Sequence, residues 1–394
     1  MMEALQDQEG NYIYMETGVT RQSNIELLRI VSMLMIVAHH YVVNSGVMNY
    51  FEIGNLSPNY IFLSLLGMWG KTGINIFILI SGYFMCTSNL TVRRYCKVFF
   101  EWFFYNIVIY LVMLLAGYET FGAKRLFHLF FEVLICANGT GSFSSLFLIF
   151  YLFVPFMNLF IRSASRKEYR QFILLLFFVF SILSTFFFNE VIFGEVFWFM
   201  AVYFMAAYIR LYPPVWTESI RASGRLCFCS VVLAFASVLF MMFVASVLHA
   251  GSTYMFVSDA NRLGAVLVSV TVFSMFKNLK IPYSKRINAV ASTTFGVFLI
   301  HANSDAWRQF MWRDLLHVDT SFVLPLSMLM VRSAVIIVGV FIVCSILDMV
   351  RIRLIEQAVF SHFEKIEHWI HRSWNILRDA GGHMYRWMIS IAMR

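Results

Sequence analysis

Residues 24–44 read N-I-E-L-L-R-I-V-S-M-L-M-I-V-A-H-H-Y-V-V-N, and this stretch decides the fold. It is apolar over the length of a bilayer, yet it carries Glu26 and Arg29 at one end and His39 and His40 deep along it. At about 100° per residue, the eleven-residue step from Arg29 to His40 is three turns plus roughly 20°, which sets both side chains on one stripe about 16 Å apart. His39 falls about 80° off that stripe, or 100° from its neighbour. Ionisable groups are costly inside hydrocarbon, and those found there usually face a bundle interior or a wet cavity and mark function.

Composition agrees with a membrane setting. The 394 residues are 60% hydrophobic and 18% aromatic but only 13% charged, which excludes an ordinary soluble globule. The net charge of +8 sits in short connections between apolar runs, with no basic face or reader motif, so nucleic acid is not an expected partner. The six cysteines form no C-x-x-C pair, and neither a disulfide framework nor a metal site is expected from them. The polar first 24 residues give no sign of a cleavable signal peptide.

Runs long enough to cross a membrane occur near 25–43, 72–86 with an interfacial lead-in from Tyr60, 98–117, 142–161, 171–188, 196–211, 226–249, 262–278, 288–307 and 331–350. The expected fold is therefore all-α, a polytopic bundle of about ten transmembrane helices over 25–350. Charge tests the count independently. Connections 87–97, 162–170, 210–225 and 277–286 are basic, whereas 44–70, 189–195 and 250–261 hold no Lys or Arg. By the positive-inside rule this alternation puts both termini in the cytoplasm of a plasma-membrane protein. The short run within 121–136 contains His128 and Glu132 and reads as an outer-face re-entrant or interfacial helix. Residues 1–24 form a cytoplasmic N-terminal segment. Residues 351–394 form a cytoplasmic tail whose apolar positions (Ile355, Val359, Phe363, Ile366, Ile370, Leu377) recur at helical spacing, as in an amphipathic helix on the inner leaflet.

The histidines are the first candidates for chemistry, since a neutral imidazole is cheaper in a membrane than a carboxylate and can act as a base. His301, in F-G-V-F-L-I-H-A-N-S-D, lies about as far into its span as His40 does into its own. Asp305, four residues on, is expected to share its face and orient the ring. In G-K-T-G-I-N-I-F-I-L-I-S-G-Y-F, Gly70, Gly73 and Gly82 allow close helix approach. There Lys71, Asn75 and Ser81, and elsewhere Asp305 and Glu26, are candidates for substrate or oxyanion contact. Arg93, Arg94 and Lys97, with Arg29, could grip the phosphates of an anionic cofactor. No P-loop, dinucleotide fingerprint, G-x-S-x-G or H-E-x-x-H is present.

These pieces resemble the membrane-bound acyltransferase family 3. The opening helix with its R-x10-H spacing, G-I-N-I-F-I-L-I-S-G-Y-F, S-S-L-F-L-I-F-Y-L-F-V-P-F-M-N and T-F-G-V-F-L-I-H follow in the family's order over about residues 22–350. Four positions depart from the pattern: Asn75 stands where an acid is common, Ile78 and Leu79 follow Phe77 in place of aromatics, and Phe298 replaces a tyrosine. The resemblance implies an O-acyltransferase that moves acetyl from cytoplasmic acetyl-CoA to a hydroxyl of a cell-envelope or exported glycan, free or lipid-linked. It implies catalysis by His40 with Arg29 and His301. A homo-oligomer or an extracytoplasmic partner is compatible with it. Arg29 lies about 16 Å below His40, close to the length of a pantetheine arm, on the order of 15 to 20 Å. The alternative from another class is a secondary transporter or flippase, against which stands the absence of inverted halves.

Overall fold

The computed structural model describes residues 2–6, 12–16, 21–123, 127, 142–187, 194–249 and 251–361. Most of the expected re-entrant segment at 121–136 and of the tail beyond 361 lies outside these residues. Two five-residue strands, Met2–Gln6 and Tyr12–Glu16, pair antiparallel ahead of the body. That body is all helix.

In chain order it comprises α1 (Ser23–Val43), α2 (Pro58–Gly67), α3 (Gly70–Met85), α4 (Val92–Leu115), α5 (Phe143–Ser163) and α6 (Arg166–Phe177). It continues with α7 (Glu195–Leu211), α8 (Ile220–Leu248), α9 (Leu263–Lys277), α10 (Lys285–Ala291), α11 (Thr294–His301) and α12 (Asp305–Gln309). The last two are α13 (Leu326–Arg351) and α14 (Gln357–Ser361). Local chemistry marks many of the starts. Ser57, Thr91, Ser142, Ser165, Ser219, Ser284 and Ser304 each accept a backbone N–H with the side-chain oxygen, satisfying one orphan donor of the following helix. Ser165 and Glu168 complete a reciprocal capping box.

Among the described residues, seven helices are long and apolar enough to cross a membrane: Ser23–Val43, Pro58–Met85, Val92–Leu115, Phe143–Ser163, Arg166–Phe187, Ile220–Leu248 and Leu326–Ser361. The chain is a multi-pass membrane protein. The other three expected spans fall on α7, on α9, and on the interrupted series α10, α11 and α12. Length makes the division: α7 has 17 residues and α9 has 15, and the third series is broken into three short helices. Helices α4, α8 and α13 turn apolar side chains such as Leu111, Phe228, Phe240 and Val335 outward, as lipid-facing helices do, whereas α7 and α11 are buried over most of their length.

The centre of the bundle is the antiparallel seam of α1 against α2 and α3. A Cβ at Gly67 would stand 2.9 Å from Val42 Cγ1, one at Gly70 would overlap the His39 ring, and one at Gly73 would stand 2.7 Å from the Ser32 carbonyl. Three glycines at i, i+3 and i+6 thus bring two backbones together, the commonest source of helix association where lipid removes the hydrophobic drive. That seam fixes the rotation of α1, and so the direction of each histidine on it.

Candidate active site

The two histidines of α1 part company at the seam. His39 turns to α3, lies against Gly70 and donates from Nδ1 to the Gly67 carbonyl at 2.6 Å. His40 turns to α11 and meets His301, Nδ1 to Nε2, at 2.9 Å. His301 is wholly buried and its own Nδ1 lies 2.6 Å from the Val297 carbonyl, one turn back on α11. His40 retains some exposed surface.

These partners assign the protons. A carbonyl can only accept, so Nδ1 of His301 carries hydrogen, and a neutral ring then offers Nε2 as an acceptor. The bond between the rings must therefore be donated by His40 Nδ1, which leaves the lone pair of His40 on Nε2. The chain Val297 carbonyl, His301, His40 orients one basic nitrogen and gives it a partner that can support positive charge on the ring when a proton arrives. Lys71 and Arg308 act on His40 through space. Lys71 itself pairs with Glu195 at 3.5 Å.

Arg29 sits at the other end of the stripe. Its Nε lies 3.7 Å from Glu26 Oε2, beyond hydrogen-bond reach, and both atoms are buried without a hydrogen-bond partner. Its guanidinium lies 5.8 Å from the centre of the Phe77 ring. From there a run of aromatic contacts leads to the histidines. Phe77 meets Phe143 at 6.3 Å, Phe143 meets Phe298 at 5.0 Å, and Phe298 meets His40 at 6.1 Å, with Phe147 and Phe295 alongside. Sequence reasoning missed this wall. Its signal was present in the phenylalanines of three motifs, but their convergence depends on how α3, α5 and α11 pack.

The remaining expected residues are dispersed. Asp305 does not reach His301. Helix α11 ends at the histidine, Ser304 caps a new helix, and the largely exposed Asp305 carboxylate pairs with Arg308. The four-residue rule fails because the helix does not continue through 302–304. Asn75 is committed structurally: Nδ2 donates to the Ala260 carbonyl at 2.6 Å and Oδ1 accepts from Trp198 Nε1 at 2.9 Å. Ser81 donates to the Phe77 carbonyl of its own helix at 2.9 Å. Arg94 donates to the Asn89 carbonyl at 3.2 Å, and together with Arg29 it acts on Tyr151 through space. Arg93 donates to the Phe360 carbonyl at 3.3 Å, while Lys97 pairs with Glu356 at 3.1 Å, so two of the basic side chains touch the segment after α13.

An oriented imidazole inside a multi-pass bundle, joined by an aromatic wall to a partly satisfied arginine, limits the comparison to enzymes and carriers of the membrane interior. Over residues 22–349 the sequence matches a family described as an acyltransferase domain. The chain belongs to acyltransferase family 3. No curated protein and no solved structure matches it. As a member of that family it is a membrane acyltransferase, and the transporter alternative loses its ground.

Proposed function

We propose that this acyltransferase takes an acyl group, most simply acetyl, from acyl-CoA at the basic end of the bundle. It would place that group on a hydroxyl of a cell-envelope or exported glycan. The reading rests on one observation above the others, the hydrogen bond that fixes His40 with Nε2 unprotonated.

In the proposed step Nε2 takes the proton of the acceptor hydroxyl as its oxygen attacks the thioester carbonyl. The new C–O bond forms, the C–S bond breaks, and the thiolate of CoA leaves and takes the proton back from His40. His301 supports the transient imidazolium through the inter-ring bond. The field of Lys71 and Arg308 favours the negative charge on the tetrahedral oxygen, whereas the occupied amide of Asn75 is withdrawn from that role. Arg29 and Arg94 supply charge for the CoA phosphates, with Arg93 and Lys97 nearby on α4. The aromatic wall suits the pantetheine arm between them. Both termini then lie in the cytoplasm, where acetyl-CoA is made.

The test is the His40→Ala protein beside the native form, reconstituted in liposomes with acetyl-CoA and a cell-envelope glycan fraction as acceptor and read as release of the CoA thiol, alongside mass spectrometry of envelope glycans from cells carrying either form. The variant is expected to release no CoA above background and its cells to lose an acetyl increment. Unchanged acetylation with normally inserted His40→Ala would remove the reading.

A further inference from the structure

The mechanism leaves unused a second set of ionisable groups, buried where α4, α11 and α13 meet. Asp348 is fully buried and Arg351 is 2% exposed. Arg351 Nε donates to Asp348 Oδ1 at 2.7 Å, Nη1 donates to Glu356 Oε2 at 2.9 Å, and Nη2 lies 3.1 Å from Glu101 Oε1. Tyr105 Oη donates to the same Asp348 oxygen at 2.8 Å, beneath the Arg351 guanidinium, and Lys97 holds the other oxygen of Glu356. Lys97, Glu101 and Tyr105 recur every four residues and so line one stripe of α4. Such a site is costly to bury and tolerable only because its members pair.

One contact ties it to the chemistry. A Cβ on Gly296 would overlap the carboxyl carbon of Asp348. The carboxylate therefore sits on the bare backbone of α11, five residues before His301. Helix α11 is only eight residues long; Ser292 and Thr293, with right-handed helical dihedrals, join it to the short α10, and it stops at Ala302, so no long helix fixes its height. Its other large contacts are phenylalanine faces, Phe295 on Phe77 and Phe298 on Phe143, which slide more easily than a carboxylate held by two donors.

We infer that Asp348 is a positioning residue: seated in the notch of Gly296 and clamped by Arg351 and Tyr105, it sets the height of α11 and hence the His301–His40 bond. The inference builds on the acyl-transfer reading of His40. Its content is shape more than charge. Three carboxyls (Glu101, Asp348, Glu356) face two cations (Lys97, Arg351), so removing the charge of Asp348 leaves the set balanced, whereas added bulk in the notch displaces α11.

Full-length protein in liposomes, with acetyl-CoA as donor, a cell-envelope glycan fraction as acceptor and CoA thiol as the readout, separates the two. Asp348→Asn is expected to keep kcat within about twofold. Asp348→Glu and Gly296→Ala are expected to lower kcat about tenfold or more with KM for acetyl-CoA within about twofold, since small misplacements of reacting groups cost rate steeply. A second measurement needs no turnover. With the six native cysteines replaced by Ser, His40→Cys and His301→Cys are joined by a short bifunctional thiol reagent, and Gly296→Ala or Asp348→Glu is expected to cut the cross-linking rate severalfold. Retained kcat in both bulky variants, an equal loss in Asp348→Asn, or an unchanged cross-linking rate would each overturn the inference. If the native protein releases no CoA, the acyl-CoA reading falls and the cross-linking rate alone decides the role of Asp348.

Discussion

The two flanks of α11 solve opposite problems. At its C-terminal end two neutral rings share one bond, one is tied to a carbonyl, and a single nitrogen keeps its lone pair. Near its start a carboxylate, a guanidinium and a phenol are joined in a setting with almost no solvent, where Asp348 Oδ2 and Glu101 Oε1 meet no hydrogen-bond donor among the described residues. The difference is access: Asp348 is fully buried, whereas His40 keeps exposed surface where a substrate can reach it. In a bilayer interior, then, the more highly charged cluster is the better candidate for support, and the sparser one for chemistry.

That contrast can be broken at four places. The largest effect is expected at His40, where removing a general base costs on the order of 10³-fold in transfer rate while thermal unfolding in detergent stays unchanged. A His40→Ala protein that loses stability instead of activity would erase the distinction. Next comes Arg351→Met, which strands buried carboxylates and should cost about 3 to 5 kcal/mol, measured as a lowered unfolding temperature or failure to accumulate in the membrane. Stability within error of the native protein would show that the cluster is not a support. His301→Leu deletes the acceptor of the inter-ring bond. A loss of about 10- to 100-fold in kcat is expected, the range seen when the partner that orients a catalytic or ligating histidine is removed. Smallest is Asp305→Asn, expected to leave kcat within about twofold because an exposed ion pair with Arg308 contributes little. An activity loss there as large as that of His301→Leu would mean that Asp305 reaches the ring during turnover.

The sequence showed how α1 faces its neighbours better than where helices end. Periodicity is a local property, so the angular separation of His39 and His40 could be counted, and the structure sends them to different helices. The partner of His301 could not be counted in the same way. Asp305 stands at i+4, but Ser304 caps a separate helix and the spacing loses its meaning. Lys71 and Asn75 are answered by Glu195, Ala260 and Trp198, all more than a hundred residues away in sequence, and no local pattern points to them. The stripe of Lys97, Glu101 and Tyr105 stands at spacing four, yet its partners arrive on α13 and the segment after it. By contrast, the runs 196–211 and 262–278 return to within a residue as α7 and α9, because their ends are marked by local composition.

Helix length is uneven across the bundle. Lipid-facing α4, α8 and α13 run for 24, 29 and 26 residues, about 36 to 44 Å at 1.5 Å per residue. The inner α7 and α9 have 17 and 15, about 26 and 23 Å, less than the roughly 30 Å of hydrocarbon outside. Helix α9 stands beside α1, which at 21 residues, about 32 Å, is long enough to cross that layer. Backbone that leaves a helix short of the bilayer surface must find its partners inside the protein, as the first amide of α9, Leu263 N–H, does on the Thr185 hydroxyl.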